Sequence, residues 1–252
     1  MTIGNASRFV VRPLDVSHLE WVSAIFTHFH LFHNKAWRAW LPDKNFTAMA
    51  YEVLKTCDYL VRRQLQSGYS LGVFDTEYQF RRSESSKTGE KLWWNSEDIS
   101  VDGNVLLEQM DFPLVSIALA YDSFNPLDPA AMGPLLTSLP QTKVIFRILA
   151  ALDPRDPITW QATGPGQVLF RNATNTQHDY EGLGLMSKMA REMMFRSAER
   201  GSRAIQIELI SYRNLISEFQ TRTHEEEDED GNMVAKLGSA DQRMTKIYVT
   251  LK

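Results

Sequence analysis

Gln167-Val168-Leu169-Phe170, then His178-Asp179-Tyr180-Glu181-Gly182-Leu183-Gly184-Leu185-Met186, then Ala204-Ile205-Gln206-Ile207-Glu208-Leu209-Ile210 read as one strand–turn–helix–strand unit. The apolar opening predicts a strand reaching towards Thr176. After the polar turn, Leu185, Met186, Met189, Ala190, Met193, Met194 and Ala198 recur with helical period. Lys188, Glu192 and Arg196 fall on the other face at i,i+4 spacing, where opposite charges support one another. Gly201 closes the helix, and residues 204–210 alternate as a half-buried strand.

The glycines at 182 and 184 give this unit its chemistry. Without side chains there, backbone N–H groups can turn towards a bound anion and let it come close. The first turn of the following helix adds unsatisfied N–H donors and the positive end of its dipole. Such a cradle holds a diphosphate without a lysine. A Gly-x-Gly pair is also an ordinary way to start a helix, so the surrounding pattern has to decide.

Working outward, Phe9 to Leu14 predicts a short strand that Pro13 confines to an edge or end. Asp15 or Ser17 caps a helix carrying Trp21, Ile25 and Phe29 at four-residue steps. A second helix is expected over 45–66, with Gly68 just past its end. Tyr69–Phe74 and Leu114–Tyr121 are strand candidates, and Thr245–Leu251 reads as a final strand. The polar stretch 76–113 and the stretch 122–165, which carries seven prolines and a short helix over 142–152, read as insertions in a single domain spanning 1–252. The acidic run Glu225–Asp230 reads as a solvated loop.

The 252 residues, 43% hydrophobic and 23% charged, exclude a disordered or low-complexity chain. A net charge of -4 argues against nucleic acid as a partner. One cysteine, Cys57, points to a reducing compartment and, placed on a helix, reads as core filler. No apolar run approaches the ~20 residues of a membrane span, and Met1–Asn5 shows no signal-peptide pattern. The expected location is the cytoplasm, with no membrane partner.

Residues 166–210 resemble the acyl-CoA-binding motif of the GCN5-related N-acetyltransferase (GNAT) superfamily, whose pattern is Gln/Arg-x-x-Gly-x-Gly/Ala. Arg12-Pro13-Leu14-Asp15 followed by Trp21 is similar to the first strand and helix of that fold. The resemblance implies an α/β fold with a mixed, splayed β-sheet flanked by helices, opening between the strands that end near Thr176 and Glu208. Acetyl-CoA would enter that notch as cosubstrate. Its pyrophosphate would take N–H groups from Gly182, Leu183, Gly184, Leu185 and Met186. Its pantetheine would pair with backbone near Asn175 and Thr176. The implied reaction is acyl transfer, acetyl above all, to an amine of a small molecule, with Glu208 or His178 as general base.

Two positions depart from the family pattern. Asp179 stands where the family has Gln or Arg, and it is expected to point away from the phosphates or to cap the helix. Arg171 or Lys188 would offset its charge. The family's leaving-group tyrosine falls at Thr221 in an Asn214/Ser217 context, leaving Tyr212 as a substitute acid. These departures keep open a second reading, the same fold redirected to a CoA-independent cyclisation or isomerisation in a biosynthetic pathway.

Other constellations point elsewhere. Gly182-x-Gly184-x-x-Ser187 with Glu208 is a partial dinucleotide fingerprint, but it lacks the third glycine and the flanking βαβ units. His28, His30 and His33 cluster with Phe29, Phe32, Trp37 and Trp40, with no cysteine or carboxylate to complete a metal site. They read either as a packed helix junction or, with His30, His33, Trp37 and Trp40 facing a ligand, as the lining of an apolar substrate pocket.

Overall fold

The computed structural model describes residues 7–34, 37–38, 41, 44–140, 142–143, 156–211, 225–227, 233–235 and 243–251, with backbone alone at 157, 208–211, 225–227, 233–235 and 243–247. The chain begins with strand β1 (Phe9–Pro13) and helix α1 (Leu19–His28), which runs into one wide π-turn, Phe29–His33. Helices α2 (Phe46–Thr56) and α3 (Asp58–Gln66) lead to β2 (Leu71–Asp75). Then follow α4 (Ser83–Thr88), β3 (Lys91–Leu92), α5 (Gly103–Glu108), β4 (Met110–Asp111) and β5 (Leu114–Asp122). Next come α6 (Gly133–Ser138), α7 (Pro157–Trp160), β6 (Val168–Thr176) and α8 (Leu185–Glu199). The strands β7 (Ala204–Ser211), β8 (Glu225–Glu227), β9 (Met233–Ala235) and β10 (Arg243–Thr250) complete the order.

The six-stranded sheet has the order β1-β2-β5-β6-β7-β10. Its pairs are antiparallel except β6–β7, which run parallel with α8 as the crossover. A sheet so largely antiparallel is not a doubly wound dinucleotide fold, which removes the fingerprint reading of Gly182-x-Gly184. Pro13 does sit on the edge strand, where its missing N–H costs no ladder bond. The α8 face of the sheet buries Leu71, Val73, Val115, Ala120, Leu169 and Ile205 against Leu185, Met189 and Met193. On the opposite face Phe74, Leu114, Ile117 and Leu119 pack beneath α1 to α3.

Several local expectations change. The helix expected over 45–66 breaks at Cys57, because Thr56 turns its hydroxyl back onto the Glu52 carbonyl (3.0 Å) and onto Ser138 (2.7 Å). Asn45 caps α2 by accepting from the Ala48 N–H (2.9 Å), and Gly68 takes φ 72° past α3. Met186 and Met194, counted on the apolar face of α8, are exposed, since the helix presents a narrower stripe to the sheet than the periodicity implied. Glu192 holds Arg196 at 2.6 Å, whereas Lys188 reaches away to the Phe9 carbonyl on β1. Glu225–Glu227, read as loop, is a strand paired with Met233–Ala235.

The stretch 76–113 is not wholly peripheral. Its Leu106, Leu107, Met110 and Phe112 join the same core as α1, with Phe112 stacked on Trp21 at 5.2 Å. Met132, Leu135 and Leu139 from the stretch 122–165 join it too. The helix expected over 142–152 lies almost entirely outside the described residues. No described helix is long and apolar enough to cross a membrane.

Candidate active site

The notch forms where the parallel pair ends. β6 and β7 share rungs from Val168–Ala204 to Arg171–Ile207, after which they no longer pair with each other, though β6 stays on β5 to Thr176 and β7 on β10 to Ser211. A bulge explains the parting. Ala120 pairs with Arg171 but Leu119 pairs with Ala173, so Asn172 is an extra residue that bends β6 away from its neighbour. Among the described residues no strand pairs with the β7-facing edge of residues 172–176, the arrangement an extended ligand would need.

Gly182 and Gly184 hold the mouth of this notch. They take φ 76° and 72°, left-handed conformations that disfavour any residue with a Cβ. Among the described residues an added Cβ would meet nothing within 4 Å at either position, so none of them fills the space before the turn. The first main-chain bond of α8 runs from Lys188 N–H to the Gly184 carbonyl (3.1 Å), and no described side chain caps the helix. Among the described residues none accepts from the N–H groups of 182–187. Leu183 is 54% exposed and does not plug the opening. Beside it a groove of about 540 Å³ runs along α8, lined by Gly184, Ser187, Lys188, Arg191, Glu192 and Phe195. A row of N–H groups without described acceptors at the positive end of a 15-residue helix, with Arg191 alongside, suits an anion such as a phosphate group.

Three anchors fix the turn that carries these amides. Tyr180 donates its hydroxyl to Asp75 at the end of β2 (3.1 Å), while Arg8 grips the same carboxylate through two nitrogens (2.9 and 2.7 Å). The Arg8 hydrogen bonds hold the Asp75 carboxyl below its usual range, and burial, with the Asp75 charge, pushes Tyr180 up to about 12. Asp179 pairs with Arg81 at 3.7 Å. Arg81 is in turn positioned by buried Asp111, which accepts its backbone N–H at 3.0 Å. Asp179 therefore does not cap α8; its charge is taken up outside the notch. His178, the third anchor, stacks on His33 with centroids 4.6 Å apart and planes at 11°. Its Nδ1 lies 3.5 Å from Glu181.

The imidazole stack continues inward, with His33 4.9 Å from His28. His28 donates through Nε2 to the Gly103 carbonyl (2.7 Å), and burial pushes its pKa down to about 4. Burial, then the neighbouring His178, lowers His33, whose buried Nε2 has no hydrogen-bond partner among the described residues. Both imidazoles are thus neutral at pH 7. His30 does not join this stack: its Nδ1 faces the Phe26 carbonyl (2.8 Å) and its ring packs against Phe26 and Trp37. Trp37 is buried. Trp40 and Tyr212 lie outside the described residues, as do Asn214, Ser217 and Thr221. Glu208 sits on β7 one residue past the last β6–β7 rung, paired through the backbone with Lys246. Cys57 is buried, and burial pushes its thiol up to about 11, as befits core filler. Among the described residues no group of three His, Cys, Asp or Glu is placed to hold a metal ion.

Two floor residues of the notch deserve their own geometry. Asn175 is 2% exposed and its side-chain Oδ1 has no partner, leaving an acceptor open among the described residues. Thr176 closes a hydroxyl pair with Ser116 (2.7 Å). The partnerships that hold the turn, Arg81–Asp179, Arg8–Asp75–Tyr180 and His33–His178, link residues about 70 to 145 positions apart, and no local pattern signals them.

A mixed sheet that splays after a bulge, followed by a glycine turn and an uncapped helix, is the fold of the GCN5-related N-acetyltransferases. Comparison with solved structures gives the same fold. The C-terminal condensation domain of Ebony in complex with beta-alanyl-dopamine is similar at 16% identity, over 96% of this chain and 98% of that chain, with a TM-score of 0.57. Arylalkylamine N-acetyltransferase 2 from Aedes aegypti is similar at 9% identity, over 97% and 99%, with a TM-score of 0.53. No family model and no curated protein matches the chain.

Proposed function

We propose that the chain is an acyl-CoA-dependent acyltransferase that passes an acetyl group to the amine of a small molecule. One observation carries the reading: N–H groups of 182–187 that no described residue accepts from, at the open mouth of a notch between β6 and β7. A CoA thioester brings an activated acyl carbonyl. The amides of 182–187 and the N-terminus of α8 bind its diphosphate, and the free edge of 172–176 aligns its pantetheine arm. Asn175, with its open Oδ1, offers an acceptor to an amide N–H of that arm.

The acceptor enters from the α1 side. There His178, stacked on neutral His33, takes the amine proton, with Glu208, one residue past the last β6–β7 rung, as the alternative base. The amine's nitrogen forms the new bond to the acyl carbon and the thiolate leaves, taking a proton from solvent or from Tyr212. Asp179 does not obstruct this reading, because Arg81 neutralises it. Two similar folds concern aryl-substituted amine chemistry, beta-alanyl-dopamine in one and arylalkylamines in the other, which makes an arylalkylamine the first acceptor to try. The test is release of free CoA thiol from acetyl-CoA across a panel of arylalkylamines, diamines and agmatine. Amine-dependent thiol release supports the reading. Its absence with every amine, together with no calorimetric heat for acetyl-CoA at high micromolar concentration, ends it.

A further inference from the structure

Arg171 occupies the last rung before β6 and β7 part. It pairs with Ala120 on one side and Ile207 on the other, residues of the core under α8, so its side chain lies on the α8 face of the sheet. Its Nε donates to the Thr174 hydroxyl at 2.7 Å. Thr174 is three residues further along β6, beyond the bulge, where β7 no longer covers the strand. The guanidinium is therefore drawn back along the floor of the notch towards its mouth. Arg171 is only 8% exposed, yet no carboxylate among the described residues pairs with it, and its two terminal nitrogens have no acceptor there. Burial alone acts on its charge, pushing its pKa down to about 10 with no opposing carboxylate. Arginine stays protonated even so, and a buried cation without a counter-charge is costly unless something supplies one. Of the other basic residues of the region, Lys188 is tied to Phe9 and Arg81 to Asp179, while Arg191 lies in the open groove along α8 rather than on the floor of the notch.

We propose that Arg171 is a buried receptor for an oxyanion of the acyl donor, its two free terminal nitrogens taking two oxygens of one carboxylate or phosphate. This rests on the donor reading above and refines it. The oxyanion has two possible sources on such a donor, the diphosphate, or a carboxylate at the far end of the acyl chain as in a succinyl or malonyl thioester. The second would make the protein selective for dicarboxylic acyl groups over acetyl.

The test is calorimetry on the full chain and its Arg171→Met and Arg171→Lys variants. The probes are CoA, acetyl-CoA, succinyl-CoA, inorganic pyrophosphate and succinate, with melting temperatures measured alongside. Arg171→Met, a neutral chain of similar length, is expected to melt no lower than the parent, since it removes an uncompensated charge. A loss of tenfold or more for all three CoA species and for pyrophosphate assigns the anion to the diphosphate. A loss of that size confined to succinyl-CoA and succinate assigns it to the acyl carboxylate. Arg171→Lys, which keeps the charge but not the fork, is expected to fall between parent and Met, and it serves alone should the Met variant not fold. Affinities within twofold of the parent for every probe overturn the inference. If the parent binds no CoA species, the donor reading fails by itself; Arg171-dependent binding of pyrophosphate or succinate then upholds the receptor, and its absence removes that too.

Discussion

Replacing Arg81 by glutamine tests whether the Arg81–Asp179 pair keeps a carboxylate from opposing an anion at the glycine turn. Asp179 stands where the family pattern places Gln or Arg, and Arg81 meets it at 3.7 Å, with side chains 40% and 53% exposed. A pair that open contributes under about 1 kcal/mol to stability, so Arg81→Gln should fold and melt almost as the parent does. Its effect belongs to binding. A bare carboxylate roughly 8 Å from a phosphate charge repels it by about 0.5 kcal/mol in water and about 2 kcal/mol at an effective dielectric of 20. Half-exposed groups belong nearer the lower figure, and about 1 kcal/mol is a factor of about five in Kd. Calorimetric titration with CoA at low salt should therefore show Arg81→Gln binding about fivefold more weakly. Near 1 M salt, where the Debye length is about 3 Å, the difference should vanish. Asp179→Asn added to Arg81→Gln should restore binding to that of Asp179→Asn alone. A Kd unchanged by Arg81→Gln at low salt, or a loss that persists in the double variant, refutes the idea that Arg81 shields the cradle.

Gly184→Ala places a methyl in open space, so its penalty is the left-handed backbone, about 1–2 kcal/mol, or a drop of roughly 2–8 °C in melting temperature. The scan should show that drop with no change in secondary structure, and an unchanged melting temperature would mean that the turn relaxes freely. Burial depresses His28 to about 4, so the folded state binds fewer protons than the unfolded chain between about pH 6.5 and 4. Stability is thus complete above pH 6.5 and falls as pH drops through that window; His28→Gln should flatten this part of a melting-temperature profile.

The fold was legible where periodicity was strong. Residues 167–210 announce strand, glycine turn, helix and strand, and Gly182 and Gly184 adopt the left-handed geometry that glycine permits most readily. What the sequence could not display is register. The bulge at Asn172 decides where the notch opens, yet it comes from a one-residue offset against β5 that no composition reveals. Helical counting placed Met186 and Met194 inward, because a moment marks the direction of a stripe but not its width. Asp179 looked like a helix cap because aspartate is good at it, but its partner Arg81 lies 98 positions away. Arg171 was visible only as one of two cations near Asp179; its burial and its lack of a counter-charge are properties of three dimensions.

The most direct measurement follows the backbone amides of Gly182, Gly184 and Ser187 by nuclear magnetic resonance during titration with CoA. The account predicts saturable downfield movement of these amides, with slower exchange against solvent, while amides on β1 stay still. Saturation that leaves the three amides unmoved, or no saturation at millimolar CoA, contradicts it.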